Sequence, residues 1–153
     1  MNEVYPPDAQ TGKGGIYIGD WSAADDIKTL LSKKINFVLT ALPATIADKP
    51  EYRQNNISQL VVNAEDMPSF DMSTFFDKSY EFIAKARENG NVLIHCAAGI
   101  SRSSTLTMVY LMRERRQGFD QTLQFLRTKR PICTPNQGFQ KQLKEYARKH
   151  GLD

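Results

Sequence analysis

Several features that define common protein classes are scarce in this chain of 153 residues. Its two cysteines, Cys96 and Cys133, are too few for a disulfide scaffold and form no C-x-x-C pair. Its two histidines offer too few ligands for a zinc site to be expected. No apolar run approaches the roughly 20 residues that span a bilayer. The sequence therefore argues against a disulfide-rich protein, a zinc protein and a membrane-spanning protein.

Signals for export or lipid attachment are also lacking. The first ten residues, MNEVYPPDAQ, have neither the apolar stretch nor the basic lead-in of a signal peptide. Asn2 stands where myristoylation needs glycine, and the final GLD is not a prenylation signal. The length fits one domain, and the 41% hydrophobic content is that of a folded chain. We expect a soluble, single-domain protein over residues 1–153, without a membrane anchor and located in the cytoplasm, with the nucleus as a second compartment.

The net charge of +3 is unevenly distributed along the chain. Residues 1–100 contain 9 basic and 13 acidic side chains, whereas residues 101–153 contain 11 basic and 4 acidic ones. Ordinary helix surface can account for such an excess. It is also compatible with a protein that meets anionic substrates on its C-terminal half.

The spacing of apolar residues predicts strands that alternate with helices. Strands are predicted at 14–21, 35–42, 58–64 and 92–96. Helices are predicted at 22–34, from 73 to the ENGN segment at 88–91, and at 103–117, 120–129 and 136–149. Ser22 with Asp25 three residues later resembles a capping box at the start of the first helix. This order predicts an α/β fold, a central and mostly parallel sheet flanked by helices.

The segment from Val92 to Ser104, VLIHCAAGISRSS, is the most informative part of the sequence. A buried strand runs into a short loop, and a buried helix follows directly. Ligands bind at this edge of an α/β sheet, and a helix N-terminus offers free amides and a partial positive charge to an anion. Gly99 lets the backbone turn toward such a ligand without a Cβ in the way.

Cys96 opens this loop, and Arg102 begins the helix. A cysteine beside a helix N-terminus and an arginine is expected to ionise readily to the thiolate. The planar fork of an arginine suits phosphate oxygens. A thiolate beneath a bound phosphoryl group can attack phosphorus, and hydrolysis of the product completes a two-step covalent reaction that requires no metal. The sequence therefore predicts phosphoryl chemistry without a cofactor.

The segment HCAAGISRS resembles the HC-x5-R-S/T signature of the cysteine-dependent protein tyrosine phosphatase superfamily. Three further segments, GGIYIGDW, YLM and RPICTPNQGF, are similar to its compact, atypical dual-specificity phosphatases. The resemblance covers residues 12–149. It implies a three-layer sandwich and hydrolysis of phosphotyrosine and phosphoserine or phosphothreonine in proteins.

The resemblance also implies roles for particular residues. Cys96 matches the nucleophile, Arg102 the residue that grips the phosphate, and Ser103 the hydroxyl that helps the thiolate leave. His95 matches a supporting histidine, although a neutral core histidine would look the same in the sequence. Asn136 matches a residue that braces the loop, and a helix N-cap explains it equally well. The backbone amides implied to bind phosphate are those of Ala97, Ala98, Gly99, Ile100, Ser101 and Arg102.

The leaving oxygen needs a proton, which a carboxylic acid near the loop can supply. Members of the family place an aspartate about thirty residues before the cysteine, and Asp66 lies at that distance in the segment DMPSF. Glu65 and Asp71 remain alternatives. Cys133 is interpreted as structural, with a redox partnership with Cys96 as the less favoured alternative.

Phosphorylated proteins are the expected partners of a monomer, and no nucleic-acid partner is expected. Three alternatives stay open: a phosphate-binding module with weak turnover, an RNA 5′-triphosphatase and a phosphoinositide phosphatase. The loop interior AAGIS has no basic residue, which disfavours phosphoinositides. The missing C-x-x-C disfavours a thiol-disulfide enzyme, and the GIYIGDW and TPNQGF segments do not suit a rhodanese.

Overall fold

The computed structural model describes residues 1–152, which form a five-stranded sheet between two layers of helices. The strands are β1 Asn2–Tyr5, β2 Ile16–Gly19, β3 Ile35–Ala41, β4 Ser58–Val62 and β5 Asn91–His95. Their order in the sheet is β1-β2-β5-β3-β4, with β1 antiparallel at one edge and the other four parallel. The predicted α/β fold with a mostly parallel sheet is confirmed.

Eight helices and a short 3-10 turn surround the sheet within the described residues. They are α1 Trp21–Asp25, α2 Ile27–Ser32, α3 Ala44–Ala47, α4 Pro50–Gln54, the turn Ser73–Phe75, α5 Phe76–Asn89, α6 Arg102–Arg115, α7 Phe119–Lys129 and α8 Gln137–Lys149. None of the helices in residues 1–152 combines the length and apolar character needed to cross a membrane.

The central strand β5 separates two hydrophobic cores, because successive side chains of a strand point to opposite faces. Val92 and Ile94 belong to the larger core, which contains the buried faces of α5 to α8. Leu93 belongs to the smaller core on the other face, beside Leu30 of α2 and Tyr52 of α4. Every residue of β5 is buried, so the loop that follows it starts from a rigid position.

Helix α6 is buried along most of its length. Ten consecutive residues, from Ser103 to Met112, are buried, as the apolar sequence of this segment predicts. The helix packs against α5, α7 and α8 and against the sheet. Its N-terminal end is thereby fixed relative to the carboxyl end of β5.

The region predicted as one helix over 22–34 forms two short helices, so the capping box at Ser22 is wrong. Asp20 caps α1 by accepting a hydrogen bond from the Ala23 amide at 3.0 Å. Asp26 ends α1 and caps α2, where its side chain accepts from the Thr29 amide at 3.1 Å. Aspartate carboxylates compete for backbone amides, which makes them helix caps rather than interior residues.

Two further elements differ from the sequence prediction. β1 was not predicted, because a run of four residues before two prolines is too short to show a pattern. Its place at the sheet edge comes from pairing with β2. The connection between β3 and β4, for which the sequence predicts no helix, contains α3 and α4.

Candidate active site

The candidate site is the loop of residues 96–101, between the carboxyl end of β5 and the N-terminus of α6. Cys96 directly follows β5, is 2% exposed and contacts the larger core. Arg102 is the first residue of α6. The buried strand and the buried helix hold the two ends of the loop, as the sequence predicts.

The carbonyl groups of this loop are hydrogen-bonded to groups outside it. The Trp21 amide donates to Ala97 O at 3.1 Å, and the Thr134 amide donates to Ile100 O at 2.8 Å. The Thr105 amide donates to Ser101 O at 3.0 Å. The amides of residues 97–102, by contrast, donate to no acceptor among residues 1–152. Six free donors next to a helix N-terminus form a cradle suited to an anion.

Gly99 is required by the shape of the loop. Its φ is +68°, in the left-handed region that residues with a side chain rarely adopt. A Cβ at this position would also lie 2.5 Å from Arg130 Nη2 and 2.8 Å from Gly19 O. The loop can therefore follow this path only with glycine at position 99.

Ser103 lies beside the cysteine. The Cys96 thiol donates to Ser103 Oγ at 3.3 Å, and Ser103 is fully buried in the first turn of α6. A hydroxyl can reverse this bond and donate to the sulfur when the cysteine is a thiolate.

Arg102 presents an unused donor. Its Nη1 donates to Ala64 O at 3.1 Å, which draws the side chain toward the segment after β4. Its Nε is buried and has no hydrogen-bond partner among the described residues. A buried donor without a partner costs about 1–3 kcal/mol. A phosphate oxygen bound in the cradle would satisfy it.

The His95 side chain lies on the face of the sheet opposite Val92 and Ile94, and it contacts the loop at the backbone oxygen of Cys96. Its Nδ1 is 3.3 Å from Cys96 O and its Nε2 is 2.7 Å from Thr40 Oγ1. Gln59 Nε2 donates to the same Thr40 Oγ1 at 2.7 Å. Cys96 O can only accept, so Nδ1 carries the ring proton, and in the neutral ring Nε2 accepts from the Thr40 hydroxyl. Burial lowers the pKa of His95 to about 4, so the ring is neutral at pH 7.

Asn136 joins the loop, α8 and Asp66. Its backbone amide donates to Ser101 Oγ at 3.0 Å, and its Oδ1 caps α8 by accepting from the Phe139 amide at 2.9 Å. Its Nδ2 donates to Asp66 Oδ1 at 2.9 Å. Asn136 is therefore both a helix cap and a contact of the loop. Its hydrogen bond to Asp66 is a further contact that the sequence did not indicate.

The segment that carries Asp66 is fastened to α8. Gln142 Oε1 accepts from the amides of Met72 and Ser73, and its Nε2 donates to Phe70 O. Asp71, one of the two alternatives to Asp66, accepts from the Ser73 amide at 3.1 Å at the start of the turn before α5. Glu65, the other alternative, is exposed beside Asp66. The contact between Asp66 and Asn136 distinguishes Asp66 from Asp71.

Cys133 is buried in the larger core, and burial raises the pKa of its thiol to about 11. A thiol in this state is protonated at pH 7 and packs as a small apolar side chain. Sequence reasoning missed Trp21, Thr134 and Arg130, which contact the loop. Their distance along the chain left no local signal, although Arg130 and Thr134 lie within the segment RPICTPNQGF.

The comparison with known families agrees with this geometry. Residues 16–149 match the model of the dual specificity phosphatase catalytic domain. The chain belongs to the dual-specificity phosphatase family. The matched range contains the whole of the loop, together with Arg102, Asp66 and Asn136.

Individual phosphatases in this family are similar over most of the chain. "MAP kinase phosphatase with leucine-rich repeats protein 3" of Dictyostelium discoideum is 36% identical over 88% of this chain and 15% of its own length. Human "Dual specificity protein phosphatase 22" is 33% identical over 95% of this chain and 73% of its own length. A crystal structure of DUSP15 is 31% identical, with a TM-score of 0.79, over 86% of this chain and 82% of that one. This chain spans between 15% and 54% of the length of three of the curated relatives.

Proposed function

We propose that this protein is a metal-independent phosphatase that hydrolyses phosphotyrosine and phosphoserine or phosphothreonine in proteins through a phosphocysteine on Cys96. The observation that carries the proposal is the set of unpartnered donors around the cysteine. The amides of residues 97–102 and Arg102 Nε surround one end of α6 without a protein acceptor among residues 1–152. A tetrahedral dianion supplies the oxygens that such a set of donors lacks.

In the first step, the Cys96 thiolate attacks phosphorus opposite the ester oxygen. The S–P bond forms as the P–O bond to the substrate breaks. Asp66, as the carboxylic acid, gives its proton to the departing oxygen. The cradle amides and Arg102 bind the three non-bridging oxygens and stabilise the charge on them in the transition state.

In the second step, water attacks the phosphocysteine. Asp66, now a carboxylate, accepts a proton from the water as the new O–P bond forms. The S–P bond breaks, and Cys96 leaves as a thiolate that accepts a hydrogen bond from Ser103. Inorganic phosphate then departs, and both residues return to their starting states.

Three observations support a protein substrate. Asp66 and its neighbours Glu65 and Met67 are exposed, so the site is open to a side chain that projects from another protein. The loop interior AAGIS has no basic residue to pair with additional phosphates, in contrast to what a phosphoinositide would require. Curated relatives at 33–34% identity are named dual specificity protein phosphatases.

The test compares turnover of p-nitrophenyl phosphate by the wild type, Cys96→Ser and Cys133→Ala, in EDTA from pH 5 to 8. We expect activity in the wild type and in Cys133→Ala, and none in Cys96→Ser. Cys133→Ala is the matched control, because it removes the other buried cysteine and leaves the loop unchanged. Circular dichroism checks that each variant is folded.

Two results would contradict the proposal. Activity in Cys96→Ser would exclude the cysteine as nucleophile. A folded wild type that binds tungstate but does not turn over aryl phosphates or phosphopeptides would instead indicate a phosphate-binding module. In that case, RNA 5′-triphosphates and phosphoinositides become the next substrates to assay.

A further inference from the structure

Arg130, the residue after α7, donates hydrogen bonds to two backbone oxygens of the loop of residues 96–101. Its Nε donates to Gly99 O at 2.9 Å, and its Nη2 donates to Ala98 O at 3.4 Å. Its third contact is to the N-terminal strand, where Nη1 donates to Asn2 Oδ1 at 2.7 Å. One guanidinium therefore joins α7, the loop and β1.

These contacts determine where two of the cradle amides point. In a planar trans peptide the C=O and the following N–H point in opposite directions. A hydrogen bond that holds Ala98 O outward turns the Gly99 amide inward, and one that holds Gly99 O outward does the same for the Ile100 amide. The free amides of the cradle are thus oriented by an arginine that lies outside it.

The loop is also shaped to make room for this guanidinium. A Cβ on Gly99 would lie 2.5 Å from Arg130 Nη2, so a side chain at position 99 would displace the arginine as well as strain the backbone. The donors Nε, Nη1 and Nη2 are each engaged with a protein oxygen. Arg130 therefore differs from Arg102, whose buried Nε has no partner.

We propose that Arg130 is a positioning residue for the phosphate cradle, and that Asn2 of β1 holds its guanidinium in place. Its effect on turnover rests on the function proposed above, whereas its effect on oxyanion binding does not. Arg130 is not expected to contact the phosphate. It acts by reducing the freedom of the Gly99 and Ile100 amides before the anion arrives, since a cradle that is already ordered binds an anion more tightly.

The experiment measures tungstate affinity by isothermal titration calorimetry, and kcat and KM for p-nitrophenyl phosphate. The variants are Arg130→Ala, Arg130→Lys and Asn2→Ala. Lysine keeps the positive charge but presents a single ammonium in place of the planar fork. Asn2→Ala keeps Arg130 and removes only the acceptor that holds it.

Arg115→Ala is the matched control. Arg115 is also partly buried and also reaches β1, where its Nη1 donates to Tyr5 Oη at 3.5 Å, and its guanidinium lies over Phe125. It sits at the far end of α6, about 20 Å from the loop at 1.5 Å per residue. The control therefore loses an arginine and a contact to β1 without touching the cradle.

We expect Arg130→Ala to weaken tungstate binding by ~10-fold or more and to lower kcat/KM by a similar factor, as small misplacements in a site cost up to ~100-fold. Arg130→Lys should recover little of this loss, and Asn2→Ala should show a smaller loss in the same direction. Arg115→Ala should keep wild-type affinity, even if its melting temperature falls. If Arg130→Ala does not fold, Arg130→Lys and Asn2→Ala provide the comparison.

Three results would overturn the inference: tungstate affinity within about 2-fold of wild type in Arg130→Ala, full recovery in Arg130→Lys, or an equal loss in Arg115→Ala. The second would mean that Arg130 acts through charge alone. The phosphatase activity proposed above can be contradicted without contradicting the role of Arg130. If the wild type binds tungstate without turnover and Arg130→Ala weakens that binding, the positioning role stands while the phosphatase activity does not.

Discussion

At the scale of single residues, Asp66 is held by a contact that leaves one carboxylate oxygen available. Its Oδ1 accepts from Asn136 Nδ2, which turns the side chain toward the residue that also contacts the loop through Ser101. The role of Asp66 as the general acid stays a prediction. The geometry allows it to be tested with little disturbance, because an amide can accept the same hydrogen bond from Asn136.

We expect Asp66→Asn to retain the contact with Asn136 and to lose the proton. Turnover of phosphoserine peptides should fall by ~100-fold or more, because alkoxide is a poor leaving group. Turnover of p-nitrophenyl phosphate should fall less, since its phenolate leaves without protonation. The measurement is kcat/KM for both substrates from pH 5 to 8. Equal losses with the two substrates would place the acid elsewhere, with Glu65 and Asp71 as the next candidates.

At the scale of the elements, α8 supports both sides of the site. Its N-cap residue Asn136 contacts the loop and Asp66, and Gln142, in the second turn, holds the backbone at Phe70 and Met72. Gly138 lets the two segments approach closely, because a Cβ there would lie 1.9 Å from Pro68 O. The position of the Asp66 segment therefore depends on the absence of a side chain in the first turn of α8.

Gly138→Ala should displace the Asp66 segment and leave the phosphate cradle intact. We expect turnover of phosphoserine peptides to fall by ~10-fold or more, while tungstate affinity stays at the wild-type value. Gln137→Ala is the control, because Gln137 is an exposed neighbour in the same helical turn. Loss of tungstate binding in Gly138→Ala would show that α8 orders the cradle itself. Unchanged turnover would show that the segment can move away without effect on Asp66.

At the scale of the whole molecule, the site lies at a junction of the two hydrophobic cores. Cys96 belongs to the larger core, while His95 faces the opposite side of the sheet with Thr40 and Gln59. Hydrogen bonds connect Gln59 to Thr40, Thr40 to His95, and His95 to Cys96 O. This arrangement requires a neutral imidazole, since Nε2 accepts the hydrogen bond from Thr40. The stability of the fold is therefore linked to the protonation of His95.

We expect stability to fall as the pH is lowered from about 6.5 to 4. The pKa of His95 is about 4 in the folded protein, against an ordinary value of 6.5 in an unfolded chain. Between these values the unfolded state binds the additional proton, so acid favours unfolding, by up to about 3 kcal/mol. Well above pH 6.5 the ring is neutral in both states and contributes no pH dependence.

Urea unfolding at pH 7, 6, 5 and 4.5 measures this dependence. His95→Asn should lose less stability than the wild type over this range. His150→Gln is the matched control, because it replaces the other histidine, which is exposed at the end of α8. If the free energy of unfolding of His95→Asn falls with pH as steeply as that of the wild type, groups other than His95 cause the acid sensitivity.

The basic residues that are in excess in the C-terminal part of the sequence do not lie inside the loop. Residues 101–153 carry the basic excess, yet Arg102 is the only basic residue between Cys96 and Ser103.

The compartment, the monomeric state and the absence of a nucleic-acid partner stay predictions from the sequence.

Much of the site could be predicted because its main part is continuous in the chain. The strand, the cysteine, the glycine, the arginine and the start of the buried helix occupy thirteen consecutive residues, 92–104, and each has a local sequence signal. The long helices also have local signals: α5, α7 and α8 have apolar periodicity, and α6 is buried on nearly every face. Prediction was weaker for short elements: β1 and the division between α1 and α2 depend on four- to six-residue segments.

The sequence alone determined the α/β fold, the position of the loop and the candidates for its chemistry, because these follow from periodicity and from neighbouring residues. The tertiary structure decided which remote groups complete the site. Asp66 meets Asn136 across 70 positions of the chain, and Arg130 meets Asn2 across 128. Such contacts arise from the packing of whole elements, and a single sequence has no local signal for which distant side chains will be brought together.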